Sequence, residues 1–267
     1  MEGRVLLAEG REAEVFLRAD GSVLKLLREP DWVFRADREA AALAVLRAQG
    51  YPAPELLGRL TDDDGRPGLL LSRIDGDSLL AVLGRRPLAV FAAGRTMGLA
   101  HAAMHGCVAP AELPDLRDLL RERIDRAEPL PASHRAAVLA LLDDLPGGDR
   151  LCHGDMHLGN ILGSWKRPVV IDWGDASRGD PTADVARTVL LHRVGVLPPG
   201  SATLLRYLAP VGRGIIVARY QATYRRRRPV DAAAMTRWET VWAAARLAEP
   251  VPEEYPTLLR LLADRLG

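Results

Sequence analysis

The chain has 267 residues, of which 48% are hydrophobic and 27% are charged, and its formal net charge is +1. This size and balance predict a globular chain of two packed lobes, and they argue against nucleic acid or an anionic membrane as a partner. The two cysteines, Cys107 and Cys152, are too few for a disulfide framework or a cysteine-based zinc site.

The first 74 residues are typical of a small β-rich lobe. Apolar runs predict five strands, at Val5 to Ala8, Val15 to Arg18, Val23 to Leu27, Glu55 to Leu60 and Leu69 to Ser72. Between Asp31 and Gln49 the apolar residues recur at helical spacing, with Asp31 as the expected cap at the start. We therefore expect an antiparallel sheet with one helix over residues 1–74.

From residue 75 onward the pattern is mainly helical. Helices are predicted at Pro87 to His105, Asp115 to Arg126, Ala132 to Leu145 and from about Ala183 to the C-terminus, with breaks at Pro198-Pro199 and at Pro250 to Pro256. Between residues 150 and 172 two short apolar stretches flank a turn instead. The fold class expected is α+β, with a larger, mainly helical lobe over residues 75–267.

The most informative segments are His-Gly-Asp-Met-His-Leu-Gly-Asn at 153–160 and Ile-Asp-Trp-Gly at 171–174. If the two short apolar stretches form a hairpin, Asn160 and Asp172 come together and Asp155 faces the same space. Amide and carboxylate oxygens are the ligands that Mg²⁺ prefers, and a separate carboxylate can orient an attacking hydroxyl and accept its proton. The pattern predicts phosphoryl transfer, with Asp155 as the catalytic base and Asn160 and Asp172 as metal ligands.

These segments resemble the catalytic loop and the metal-binding segment of the protein-kinase-like superfamily. The His-Gly-Asp form, with Asp180-Pro181 and Asp184 downstream, is similar to the aminoglycoside phosphotransferase and choline kinase family. The resemblance spans roughly residues 5–190. It implies a bilobal, protein-kinase-like fold that binds ATP and Mg²⁺ in the cleft between the lobes.

The resemblance also implies residues that hold the nucleotide. Lys25 stands where the family has its phosphate-binding lysine, and Glu39 stands where it has the ion-pair partner of that lysine. The segment 70–76 resembles the hinge that reads adenine, which assigns nucleotide binding to Ser72 and Ile74. Only two of the 36 basic residues are lysines, so a lysine inside an apolar strand is itself unusual. The loop before the second strand departs from the protein kinases, because Gly10 is its single glycine.

Other functions stay open from the residues alone. The spacing of His153, Asp155 and His157 suits zinc or iron in a metal-dependent hydrolase. A nucleotide-binding module without catalysis is a second alternative. The run from Arg225 to Arg228 is interpreted as a solvated helix end rather than a nucleic-acid patch.

The resemblance implies a hydroxyl-bearing small-molecule acceptor, such as an aminoglycoside or another aminated antibiotic or metabolite. The C-terminal helices, where family members build the acceptor pocket, carry aromatic and acidic residues that suit a cation: Trp238, Glu239, Trp242, Glu249, Glu253 and Glu254.

We expect His153 and Asp184 to brace the catalytic loop, and Asp175 and Asp180 are left without a role. Because the N-terminus has no signal-peptide pattern and no apolar tract is long enough to span a membrane, we expect a cytoplasmic monomer or homodimer.

Overall fold

The computed structural model of the chain describes the backbone of residues 4–195 and 203–267, and the side chains of residues 4–195 and 211–267. Its N-terminal part is one five-stranded antiparallel sheet in the order β1-β2-β3-β5-β4. The strands are β1 Val5–Glu9, β2 Ala13–Leu17, β3 Val23–Leu27, β4 Leu56–Thr61 and β5 Pro67–Leu71. The five predicted strands are thus confirmed, with bounds that differ by two residues at most. Lys25 lies in the central strand β3, opposite Val15 on one side and Leu69 on the other.

Helix α1 spans Val33–Ala48 and buries Ala36, Leu43 and Leu46 among its core residues. The prediction that Asp31 caps this helix is wrong. Asp31 lies inside a 3₁₀ turn over Pro30–Trp32, and Trp32 occupies the cap position without a side-chain hydrogen bond. Pro30 has a fixed φ that starts this tight turn before the helix, which moves the cap past Asp31.

The C-terminal part contains eight helices among the described residues. They are α2 Leu79–Arg85, α3 Val90–Met104, α4 Leu116–Arg126, α5 Ala132–Asp143, α6 Pro181–Val194, α7 Thr203–Arg227, α8 Ala232–Arg246 and α9 Tyr255–Leu266. Four short strands interrupt them: β6 Arg150–Cys152, β7 Ile161–Ser164, β8 Arg167–Val170 and β9 Ser177–Gly179. β7 pairs with β8 as the predicted hairpin, and β6 pairs with β9. The predicted break at Pro198-Pro199 lies outside the described residues.

Two glycines let α3 and α7 approach closely. A Cβ atom at Gly94 would lie 2.6 Å from the carbonyl oxygen of Ile216, and one at Gly98 would lie 2.7 Å from that of Tyr220. Neither position therefore has room for a side chain. This close contact brings the tyrosines of α7 against the buried histidines of α3.

The predicted α+β organisation is confirmed, since an antiparallel sheet is followed by a mainly helical part. The boundary at residue 74 falls between β5 and α2 and stays a prediction. Among the helices that the structure describes, none combines the length and apolar character required to cross a lipid bilayer.

Candidate active site

The hairpin of β7 and β8 brings Asn160 and Asp172 to the same end of the two strands. Ile161 is paired with Val170, and the backbone N–H of Ile171 donates to the carbonyl oxygen of Asn160 at 3.0 Å. Asp172 has a φ of 66°, in the left-handed region that side chains rarely adopt. Such strain is tolerated where the surrounding structure holds a residue in place, and it is common at functional sites.

Lys25 joins the sheet, helix α1 and this hairpin. Its Nζ lies 2.5 Å from Oε2 of Glu39 and 2.7 Å from Oδ1 of Asp172. Burial opposes the charge of Lys25, but the carboxylates of Asp172 and Glu39 outweigh it and raise the lysine pKa. Burial raises the pKa of Asp172, but the charge and the hydrogen bond of Lys25 together outweigh burial and lower that pKa. Lys25 and Asp172 therefore both stay charged at neutral pH.

Asp155 lies in the loop after β6 and contacts Asn160 directly. The Nδ2 group of Asn160 donates to the backbone oxygen of Asp155 at 3.0 Å and lies 3.4 Å from its Oδ2. This orientation directs the Asn160 Oδ1 atom away from Asp155. Among the described residues, neither Asn160 Oδ1 nor Asp172 Oδ2 accepts a hydrogen bond. Two hard oxygen atoms at the same end of the hairpin thus have no protein partner among the described residues, which fits the oxygen ligands that Mg²⁺ prefers.

His157 holds the carboxylate of Asp155. Its Nδ1 accepts a hydrogen bond from the N–H of Gly159 at 3.0 Å, so its Nε2 carries the proton and faces Asp155 Oδ2 at 3.4 Å. Burial raises the pKa of Asp155, but the hydrogen bond from His157, together with nearby basic groups such as Arg187, outweighs it and lowers that pKa. Burial lowers the pKa of His157, and Asp155 in turn raises it. The pair therefore keeps Asp155 ionised.

His153 ties the loop to the end of β8. Its Nε2–H donates to the carbonyl oxygen of Ile171 at 3.0 Å, and its Nδ1 accepts from the backbone N–H of Asp155 at 3.2 Å. Both ring nitrogens are therefore occupied. A hydrolase that bound its metal through His153 would have to break one of these bonds, so the geometry gives that alternative no support.

Asp184, near the start of α6, holds the backbone of the same loop. Its Oδ2 accepts from the backbone N–H of His153 at 2.6 Å, and its Oδ1 accepts from that of Gly154 at 2.9 Å. The Nε2–H groups of His101 and His105 also donate to Oδ2, at 3.0 and 3.2 Å. Burial raises the pKa of Asp184, but these histidines outweigh it and the pKa lies well below its usual range.

Two tyrosines complete this buried network. The hydroxyl of Tyr220 lies 2.7 Å from Nδ1 of His101, and the hydroxyl of Tyr224 lies 2.6 Å from Nδ1 of His105. Burial lowers the pKa of His105 to about 4, so this ring is neutral at neutral pH. His101, His105 and Asp184 have metal-ligand spacing, but every ring nitrogen already has a partner. The cluster is therefore a hydrogen-bonded support for the loop.

Arg187, which the sequence analysis missed, supports the loop from α6. Its Nε donates to the carbonyl oxygen of Gly154 at 3.2 Å, and its Nη2 donates to Oε1 of Glu249 at 2.6 Å. Its guanidinium lies 4.8 Å from the ring centroid of Trp242. The signal available was its position three residues after Asp184, which puts both side chains on one helix face.

The model of the family described as "phosphotransferase enzyme family" matches residues 4–230. The chain belongs to the phosphotransferase enzyme family. The resemblance stated from the two motif segments is thus confirmed, and so is the prediction of an enzyme of the phosphotransferase class. No curated protein matched the chain in the sequence comparison.

Solved structures agree with this phosphotransferase in fold. A thermostable mutant of the aminoglycoside phosphotransferase APH(4)-Ia has a TM-score of 0.67 at 16% identity, over 98% of this chain and 93% of that chain. The amicoumacin kinase hAmiN has a TM-score of 0.63 at 15% identity, over 98% and 87%. APH(3'')-Id from Streptomyces rimosus has a TM-score of 0.54 at 22% identity, over 92% of each chain. At these identities the similarity shows the fold alone.

The phosphotransferase contains a cavity of about 1150 Å³ beside Asp155. Gly10 and Arg11, from the turn between β1 and β2, lie on one side of it. The C-terminal ends of α6 and α8 contribute His192 and Arg246 to its lining, and the middle of α7 contributes Arg213. The loop that carries Asp155 thus forms part of the cavity lining.

The two residues expected to read adenine differ in their backbone contacts. The N–H of Ser72 donates to the carbonyl oxygen of Glu55 at 2.9 Å, and its Oγ accepts from the N–H of Glu55 at 2.8 Å. The backbone N–H and the hydroxyl of Ser72 are thus both engaged with Glu55. Within the described part of the chain, the backbone of Ile74 makes no hydrogen bond, so it is free to meet a ligand.

The aromatic and acidic residues of the C-terminal helices lie mostly in the protein interior. Trp238 and Trp242 of α8 are buried in the hydrophobic core of the protein. Glu239 pairs with Arg193 and Arg265. Glu254 lines the cavity, but it is buried and paired with Arg246.

Proposed function

We propose that this phosphotransferase transfers the γ-phosphate of ATP to a hydroxyl group of a small molecule, with Mg²⁺ as its metal. The observation that supports this most is the unbroken set of contacts from Glu39 through Lys25 to Asp172, and from Asn160 to Asp155. These residues provide a cation for phosphates, oxygen ligands for a metal and a separate carboxylate for the acceptor.

Lys25 is proposed to bind the α- and β-phosphates, and Glu39 to hold the lysine in position. Asn160 and Asp172 would hold the Mg²⁺, which when bound neutralises charge on the phosphate oxygens. The hinge beyond β5 would contact the adenine, through Ile74 and, less directly, Ser72. Because Lys25 already meets Asp172 at 2.7 Å, nucleotide phosphates have to share this cation with the carboxylate.

Asp155 is proposed to orient the acceptor hydroxyl and accept its proton. The acceptor oxygen forms a bond to the γ-phosphorus, and the bond between that phosphorus and the β–γ bridging oxygen breaks. ADP leaves with the electron pair, and the hydroxyl proton passes to Asp155. Since its pKa is lowered, Asp155 is a weak base, and its main contribution is to place the hydroxyl for in-line attack.

The solved neighbours support the nucleotide and the divalent metal. The amicoumacin kinase was solved with AMP-PNP, Ca²⁺ and Ami, and an APH(4)-Ia mutant was solved with ADP and hygromycin B. An aminated acceptor for this chain stays a prediction. We also infer a cytoplasmic monomer or homodimer that acts without nucleic-acid or membrane partners.

The replacement Asp155→Asn tests the proposal. It should lower ADP formation with an accepted substrate by at least about 100-fold, because an amide cannot take the proton, while ATP affinity stays within about threefold. Asp149→Asn is a matched control, since Asp149 is exposed and precedes β6.

Zinc at one equivalent without nucleotide binding would instead favour the hydrolase. ATP binding without turnover of any acceptor would favour the non-catalytic module.

A further inference from the structure

The stretch from residue 185 to residue 230 contains nine arginines and no acidic residue. It begins after Asp184 and ends before Asp231, and it includes most of α6 and all of α7. It supplies Leu191, His192 and Arg213, among others, to the cavity beside Asp155. The acceptor side of the cavity is therefore basic and apolar rather than acidic.

Glu254, which lines this side, and Glu249, which contacts the lining residue Arg246, already have basic partners. Glu254 accepts from Nε of Arg246 at 2.7 Å and from its Nη2 at 3.1 Å. Glu249 accepts from Nη2 of Arg187 at 2.6 Å. Burial raises the pKa of Glu249, but the charges of Arg187 and Arg246 outweigh it and lower that pKa. Neither carboxylate is thus free to bind an ammonium group of a substrate.

Arg213 differs from these arginines, because no carboxylate of the described residues lies within ion-pair distance of it. Its Nη1 donates to the carbonyl oxygen of Gly195, and the side chain is half-buried. Residues 196–210 contain no Asp or Glu, so that segment cannot provide a counter-ion either. A partly buried guanidinium without a counter-ion carries a desolvation cost that a bound anion would offset.

The other charged groups around the cavity do not change this balance. On the nucleotide side, Arg28 pairs with Glu9 at 2.6 Å. Arg11 also lines the cavity there, where it would face the phosphates of a bound nucleotide. On the acceptor side, His192 donates its Nδ1–H to the carbonyl oxygen of Thr188 at 2.8 Å. Its Nε2 therefore carries a lone pair that accepts no hydrogen bond from the described residues, which suits a hydroxyl of the acceptor rather than an anion.

We propose that the acceptor carries an oxyanion, a carboxylate or a phosphate, and that Arg213 binds this group while the hydroxyl to be phosphorylated lies against Asp155. The proposal rests on the proposed function and names the class of its substrate. A guanidinium binds either oxyanion through charge-assisted hydrogen bonds. A polycationic acceptor would instead meet the charge of Arg213 and find Glu249 and Glu254 already paired.

Matched pairs of small alcohols test the proposal by calorimetry on the protein loaded with Mg²⁺ and AMP-PNP. The pairs are glycerate with glycerol, 4-hydroxybutyrate with 1,4-butanediol, and ribose 5-phosphate with ribose, and kanamycin serves as the polycation. In at least one pair the anion should bind at least about tenfold tighter than its neutral partner, as expected for one charge-assisted hydrogen bond. The first two pairs report a carboxylate and the third a phosphate.

Variants on α7 assign the effect to one residue. Arg213→Gln should remove the preference for the anion, and Arg213→Lys should retain part of it. Arg225→Gln removes the same charge from an exposed position on the same helix, and it should leave the preference unchanged. The affinity for AMP-PNP should stay within about threefold in all three variants.

The inference is overturned if kanamycin binds more tightly than every anion, or if no pair shows a preference. It is equally overturned if Arg213→Gln and Arg225→Gln have the same effect, or if Arg213→Gln weakens AMP-PNP alone. Each of these results leaves the proposed function standing. If the proposed function fails instead, the unaltered protein will show no Mg²⁺-dependent binding of AMP-PNP, or it will bind ATP without turnover of any acceptor.

Discussion

Gly154 shows at the residue scale why the motif has its particular form. Its φ is 79°, and a Cβ atom there would lie 2.7 Å from the carbonyl oxygen of Asp175. Its N–H donates to Asp184, and its carbonyl oxygen accepts from Arg187. A side chain at this position would therefore displace the backbone on which Asp155 depends.

The substitution Gly154→Ala should lower the free energy of unfolding by about 1–3 kcal/mol through backbone strain, and it should also reduce the transfer rate. Gly84→Ala is the control, because Gly84 lies in α2 with no atom within 4 Å of an added Cβ. That change should be neutral or stabilise by about 0.5–1 kcal/mol. Urea denaturation of both variants measures the difference. An unaffected Gly154→Ala protein would contradict the strain argument.

Residues within the motif were predictable, and residues that act through distant contacts were not. Asp155, Asn160 and Asp172 could be named because the chemistry depends on their local spacing and on one hairpin. The contact from Asp184 to His101 instead joins positions 83 residues apart. No local pattern specifies which turns of α3 and α6 meet, so this part of the support emerged from the structure.

At the scale of the elements, three helices hold the catalytic loop through one carboxylate. Asp184 of α6 accepts from His101 and His105 of α3, and these histidines meet Tyr220 and Tyr224 of α7. Because the loop N–H groups share that carboxylate, the position of Asp155 depends on all three helices. The loop is thus held by packed elements as well as by its own residues.

This network predicts a loss of stability in acid. The pKa of His105 falls from 6.5 to about 4 in the folded protein because of burial, so the unfolded chain binds the proton more readily. The contribution of His105 to the free energy of unfolding is complete above about pH 6.5. It is lost as the pH falls towards 4, with a slope of about 1 kcal/mol per pH unit at most. The lowered pKa values of His153 and Asp184 act in the same direction, and the raised pKa of His157 opposes them.

Denaturation midpoints between pH 4 and pH 8 measure this dependence. The variant His105→Gln should show a shallower decline than the unaltered protein, since it removes one of the titrating groups. Equal slopes in the two proteins would contradict the assignment to His105.

Element prediction succeeded where the apolar pattern was long and failed where it was short. The five strands of the sheet each contain apolar residues, although β1 is exposed along its whole length, and their existence was confirmed. Strands β6 and β9 have three residues each, too few to show a period. Helix α2 has only seven residues and was missed for the same reason.

At the scale of the whole molecule, ion pairs connect the N-terminal sheet and α1 with the C-terminal part. Lys25 meets Asp172 at 2.7 Å, and Arg35 of α1 lies 3.4 Å from Oδ1 of Asp175. Arg123 of α4 lies 3.1 Å from the same atom. Burial raises the pKa of Asp175, but these two arginines outweigh it and lower that pKa, so the contact persists at neutral pH. Nucleotide binding would thus act on a contact between the two parts of the chain.

The general architecture followed from the sequence, but the character of the acceptor side did not. The acid-free stretch over residues 185–230 was visible as sequence, yet its meaning required the cavity that Arg213 and His192 line. The acidic residues Glu249 and Glu254 suggested a cationic substrate until their partners Arg187 and Arg246 were seen in place.

The central claim, that Asp172 holds the metal and Asp155 serves the acceptor, is tested most directly by titrating AMP-PNP with and without Mg²⁺. Mg²⁺ should tighten binding by at least about tenfold in the unaltered protein and in Asp155→Asn, because both keep the metal ligands. Asp172→Ala should lose this enhancement. An undiminished Mg²⁺ effect in Asp172→Ala, or its loss in Asp155→Asn, would contradict the account.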